Sequence, residues 1–156
     1  MKKLIFILLV CSAISVLAQK ANFSGTWLLN KTKTNFGTAP EWVLPKTVKV
    51  DQQADKLTIT RINLDQQLKE QAPIAEILTF DGKPLQRTLD NGATVTTTVH
   101  WQNDQSFNLS RRSTQIIEEA WTLQDNGKTL VIDHSVEQAN GVKFTIKCYY
   151  DKTNPN

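Results

Sequence analysis

Three arginines and one glutamate carry the chemistry most worth placing in this chain. Arg61, Arg87 and Arg111 fall at two-residue spacing with apolar neighbours, in Leu57-Ile59-Arg61, Leu85-Arg87-Leu89 and Phe107-Leu109-Arg111. Glu119 does the same with Ile117, Trp121 and Leu123. Alternate side chains of a strand point to opposite faces, so this spacing turns the charges toward the apolar side. Inward charge is costly unless it is paired or wetted. Three arrangements meet that demand. The arginines can hold the anionic head of a ligand as bidentate donors, with Glu119 and Trp121 in the same wall. Arg61 and Arg111, at strand ends, can snorkel to a wet rim. Arg111 and Glu119 can also pair with each other across a hairpin.

Catalytic and metal chemistry find less support. His100 and His134 are the only imidazoles and fall on opposite strand faces, whereas a metal needs its ligands to converge. Glu118 and Glu119 are adjacent, so on a strand they diverge and form no carboxylate dyad. The chain has no Gly-x-Ser-x-Gly, no phosphate-binding glycine loop and no Cys-x-x-Cys. Cys148 with His134 could form a thiolate pair if their strands were neighbours. As two inward residues of a β core they read more simply as packing. No catalytic residue, cofactor or metal ligand is therefore assigned.

The elements that hold these residues are strands. Thr and Val at period two, with turn residues at short intervals, mark an all-β chain. Phe23 to Leu29 is the first strand, and Lys31 to Lys46 a long connection containing Pro40 and Pro45. Strands follow at Thr47 to Gln53 and Lys56 to Asn63. Leu64 to Ala75 is read as a bulged continuation of the strand, with a helical turn stopped by Pro73 as the alternative. Ile74 to Phe80 runs into Asp81-Gly82, a hairpin signal, and Leu85 to Leu89 into Asn91-Gly92. Ala93 to Trp101, Phe107 to Arg111, Gln115 to Leu123, Thr129 to Glu137 and Val142 to Tyr150 complete the series. Asp151 to Asn156 is a polar tail expected to fray. Parity places Val142, Phe144, Ile146, Cys148 and Tyr150 inward, and likewise Leu130, Ile132, His134 and Val136, and Val95, Thr97, Val99 and Trp101. Strands joined by short turns pair antiparallel with their neighbours, and closure removes the exposed edges of such a sheet. The expected fold is an up-and-down meander closed into a β-barrel of about 8–10 strands.

Residues 1–18 read as a secretory signal peptide: Lys2 and Lys3, an apolar run from Leu4 to Leu17, and Ala18 before the cleavage point. The run is shorter than the roughly 20 residues of a membrane span. Residues 19–156 then form one domain, exported to the periplasm or beyond, soluble and a monomer or weak associate. The formal net charge of +3 over the whole chain falls by two when Lys2 and Lys3 leave, so it does not indicate a nucleic-acid partner. Cys11 leaves with the signal, and Cys148 remains alone, with no intramolecular disulfide.

At this point the chain resembles the lipocalin-like, or calycin, barrels. The resemblance rests on Phe23-Ser24-Gly25-Thr26-Trp27 at the first strand, the continuous meander, and the closing Tyr150-Asp151-Lys152. It is most similar to the small exported bacterial lipocalin-like proteins. They share the Lys- and Thr-rich segment here at 30–37, the Asp81-Gly82-Lys83 turn, and an aromatic strand (Trp121) before Asn126-Gly127-Lys128. The resemblance implies Trp27 packed at a closed end and an internal cavity for small apolar molecules. Fatty-acid-binding proteins insert two helices after their first strand, and Lys31 to Lys46 is too short and Pro-broken for that. They also hold the ligand carboxylate with an Arg-x-Tyr on the last strand. Aligned on Tyr150, this chain has Cys148 where that arginine would be, so Arg61, Arg87 or Arg111 would have to substitute.

The expected function is the binding of a small apolar or amphipathic molecule, with Arg61, Arg87, Arg111, Glu119, Trp121 and Tyr150 as ligand-binding candidates. The alternative is a barrel filled by its own side chains, acting as a protein-interaction or structural module through its outer face or residues 31–46.

Overall fold

The computed structural model describes residues 19–89 and 91–153. The signal-peptide reading of residues 1–18 lies outside the described residues. Ten antiparallel strands form one sheet: β1 (Gly25–Leu29), β2 (Thr47–Gln52), β3 (Lys56–Ile62), β4 (Ile74–Thr79), β5 (Leu85–Thr88), β6 (Thr94–Asn103), β7 (Ser106–Arg112), β8 (Ile116–Gln124), β9 (Thr129–Glu137) and β10 (Lys143–Thr153). The strand order is β4-β3-β2-β1-β10-β9-β8-β7-β6-β5, an up-and-down meander whose first and last strands pair. The expected all-β meander is present, curled into a nearly closed barrel.

Alternation drives the closure. On β3 Leu57, Ile59 and Arg61 are buried, on β9 Leu130, Ile132, His134 and Val136, and on β10 Ile146, Cys148 and Tyr150. These are the faces that period-two spacing predicts. Two valines depart from it: Val142 sits in the turn before β10 and is exposed, and Val131, on the outward side of β9 by parity, is buried. Curling the sheet lets one face bury itself in a common interior while the polar face stays wet. Each buried aliphatic or aromatic side chain contributes about 1.5–3 kcal/mol.

Three local expectations are corrected. Asp81-Gly82 turns the chain but makes no paired hairpin, because β4 and β5 are the two unpaired edges of the sheet. The Phe80 amide bonds instead to the carbonyl of Asp55, at the β2–β3 turn. Pro84 offers no amide with which a ladder to β4 could start. Of Leu64 to Ala75, Ile74 and Ala75 already belong to β4, and Leu64 to Pro73 is neither a continued strand nor a helical turn. It is a tight loop pinned by a Leu64–Glu70 bridge, in which the Asp65 carboxylate accepts the amides of Gln67 and Lys69, both at 2.9 Å. Finally, the tail is ordered through Thr153, since Thr26, Trp27 and Leu28 of β1 pair with Thr153, Lys152 and Asp151.

The interior has a dry end and an open end. Phe23, Trp27, Leu57, Leu78, Phe107, Trp121 and Leu130 pack the dry end without measurable exposure beyond 1%. Phe107 stacks on Trp121 with ring centroids 5.1 Å apart, and Phe23 meets Phe107 edge-on at 4.7 Å. Trp27 lies within this packing, its indole N–H donating to the carbonyl of Phe23 at 3.0 Å.

Candidate functional site

Four charges meet at the boundary between the two ends. Arg61 comes from β3, Glu76 from β4, Arg111 from β7 and Glu119 from β8, each turned inward by strand parity. Arg61 reaches across the barrel: its Nη1 donates to Glu76 Oε2 and its Nη2 to Glu119 Oε2, both at 2.9 Å. Arg111 closes the ring, with Nη2 donating to Glu76 Oε2 at 3.0 Å and Nη1 to Glu119 Oε1 at 3.3 Å. Neutral and aromatic groups complete the set. Thr97 on β6 donates its hydroxyl to Glu76 Oε1 at 3.0 Å, and the Trp121 indole N–H donates to Glu119 Oε2 at 2.9 Å. His134 Nδ1 on β9 lies 3.3 Å from Glu119 Oε1.

The electrostatics follow from this geometry. Burial by itself would raise the Glu119 carboxyl, but Arg61, Arg111 and His134 outweigh it and hold that group well below the usual carboxylate range. Glu76 is lowered in the same way: burial opposes, while Arg111, Arg61 and the Thr97 hydroxyl win. Both carboxylates are therefore ionised at neutral pH, and two guanidinium charges offset them. The buried charge that parity implies is thus paired internally. An Arg111–Glu119 pair does form, as one side of a four-membered ring.

Above the ring lies a cavity of about 820 Å³. The ring forms its floor. Ile74, Ile117, Val136 and Phe144 line its walls, with Trp42 and Val43 at one side. Trp42 and Val43 belong to a single 3-10 turn, Glu41–Val43, in the long connection after β1.

The six sequence-predicted site residues fall in different places. Arg61, Arg111 and Glu119 form the floor, and Arg87 lines the cavity from the exposed edge strand β5. Trp121 lies beneath the floor, stacked into the dry end and touching Glu119 through its indole N–H. Tyr150 is fully buried, and its hydroxyl donates to the Pro45 carbonyl at 3.2 Å, which fastens the 40–45 segment beside the cavity. Neither Trp121 nor Tyr150 lines the cavity wall. Glu76 was missed, although Ile74-Glu76-Leu78 carries the same alternation as the other strands. Parity turns His134 and Thr97 inward but does not join them to the charged residues, because their partners lie on other strands.

The sequence matches no protein-family model and no curated protein. Solved structures do match. One is a Schistosoma mansoni fatty acid binding protein in complex with arachidonic acid, with a TM-score of 0.58 at 13% identity, covering 85% of this chain and 96% of that one. Another is the zebrafish ileal bile acid-binding protein complexed with cholic acid, with a TM-score of 0.52 at 15% identity, covering 84% of this chain and 98% of that one. At such identities the likeness is one of fold alone, an antiparallel meander curled into a nearly closed barrel.

Proposed function

We propose that this chain is an exported carrier that takes a small apolar or amphipathic molecule into the open end of its barrel. The observation that carries the reading is the cavity of about 820 Å³ above a buried ionic floor. Drug-sized ligands occupy pockets of roughly 300–1,000 Å³, so the space is of the right order. A barrel filled entirely by its own side chains would leave no such volume. The fold neighbours, solved in complex with arachidonic and cholic acid, lend support by analogy of architecture.

Binding is favoured over catalysis by the state of Cys148, the one free thiol among the described residues. Burial, then Glu119 and Asp133, push Cys148 up to about 12, far from a thiolate at neutral pH. The protein acts as a monomer, and residues 1–18 direct its export.

The test uses the uncharged fluorophore N-phenyl-1-naphthylamine. Saturable enhancement of its emission, at one site per chain, is the expected result. A signal no greater than that of the unfolded chain rejects the carrier reading. Recovery of the protein only from the cytoplasm, with residues 1–18 still attached by intact mass, rejects the export part.

A further inference from the structure

The charges that line the cavity cancel. Its wall carries Arg61, Arg87 and Arg111 against Asp65, Glu76 and Glu119, with no lysine. On the floor, both terminal nitrogens of Arg61 and of Arg111 already donate to Glu76 and Glu119. There an entering carboxylate would meet guanidinium groups whose charge is already neutralised, beside two carboxylates of its own sign. Arg87 stands apart on the exposed edge strand β5, where water screens it. Taking the carboxylate out of water would then lack compensation. An entering ammonium meets the converse obstacle. The remaining polar wall is His134, whose Nδ1 already faces Glu119 Oε1 at 3.3 Å, and the carboxamides of Asn63, Gln66, Gln67, Gln71, Gln115 and Gln138, each able both to donate and to accept.

Resting on the carrier reading, we infer that the ligand is an uncharged amphipath whose polar groups are hydroxyls or amides, and that fatty-acid-type carboxylates are poor ligands. The observation behind it is the charge-balanced floor beneath a wall of six carboxamides. A hydroxyl suits this surface because it can donate to a carboxylate or amide oxygen while accepting from an amide or guanidinium N–H. Trp42 and Ile74, Ile117 and Phe144 supply apolar contact for the rest of such a molecule.

The experiment displaces bound N-phenyl-1-naphthylamine at pH 7.5 with three ligands of equal chain length: decan-1-ol below its solubility limit, and decanoate and decylammonium below their micellar concentrations. Decan-1-ol is expected to bind at least about tenfold more tightly than either ion, a difference of one decade in Kd. Any smaller preference for decan-1-ol, or a preference for either ion, overturns the inference while the fluorophore's binding leaves the carrier reading intact. If the fluorophore does not bind and none of the three alters the protein's tryptophan emission, both readings fall together. A second arm uses Glu76→Gln, which removes one negative charge and leaves a guanidinium uncompensated. Decanoate affinity should rise about tenfold in this variant relative to decan-1-ol, again one decade in Kd. No change in the ratio overturns the electrostatic basis of the inference.

Discussion

Glu119 is the most heavily coordinated side chain in the interior. It receives Arg61, Arg111 and Trp121 and faces His134, so its ionised form is built into the folded state. Removing one member of the ring leaves charge buried without a counterpart. Arg61→Ala should therefore destabilise the protein by about 3–5 kcal/mol, the usual cost of breaking a buried pair. Urea denaturation measures it; a loss under about 1 kcal/mol would mean that water or rearrangement compensates the two glutamates. The lowered carboxyls also set a pH dependence. Because Glu76 and Glu119 sit below their ordinary value of 4.5 when folded, their contribution is complete above that pH and is lost as pH falls through the folded values. Stability should hold from neutral pH to about 5 and then decline into acid. A Glu119→Gln variant should start less stable and decline less steeply. At this scale most of the ring is legible in the sequence: parity alone turns Arg61, Arg111, Glu119 and His134 inward. The Arg111–Glu119 contact across one hairpin is legible as an option, but that Arg61 joins it is not, because Arg61 and Glu119 lie on strands far apart in the chain.

Among the elements, β1 and its partner β10 bear the closure. Gly25 opens β1 with φ +145°, and a Cβ built there would lie 2.7 Å from Lys152 Cε. The Lys152 ammonium in turn sits 5.1 Å from the centre of the Trp27 ring. Gly25→Ala must strain the backbone and push the lysine off the indole, so a loss of about 1–3 kcal/mol is expected in thermal or urea unfolding. An unchanged midpoint would show that the strand can shift at its start without loss. The Gly-x-Trp pattern is readable in the sequence, while the reason for its glycine is a residue more than a hundred positions away. The reverse holds at Asp81-Gly82. There the local signal for a hairpin is strong, yet β4 and β5 separate, and side chains rather than backbone span the gap. Thr97 on β6 bonds Glu76 on β4, and Phe80 stacks on Trp101 with centroids 4.8 Å apart. A turn signal describes the chain's reversal and says nothing of whether the strands on either side remain in register.

For the molecule as a whole, this division between paired and unpaired strands predicts a gradient of protection. Amides of β5, an edge strand of four residues, should exchange with solvent about a hundredfold or more faster than those of β9, which is paired on both sides. Hydrogen exchange read by mass spectrometry or NMR checks this, and equal protection would mean that β4 and β5 zip together in solution. The sequence alone determined the strand count, the inward faces and the meander, because period-two burial and short turns are local properties that each strand states for itself. Tertiary structure decided the rest. How far β1 and β10 overlap, where the cylinder is left unzipped and which charges neutralise one another all depend on distances across the lumen. Those distances are set by curling the entire sheet at once, and no single stretch of chain encodes them.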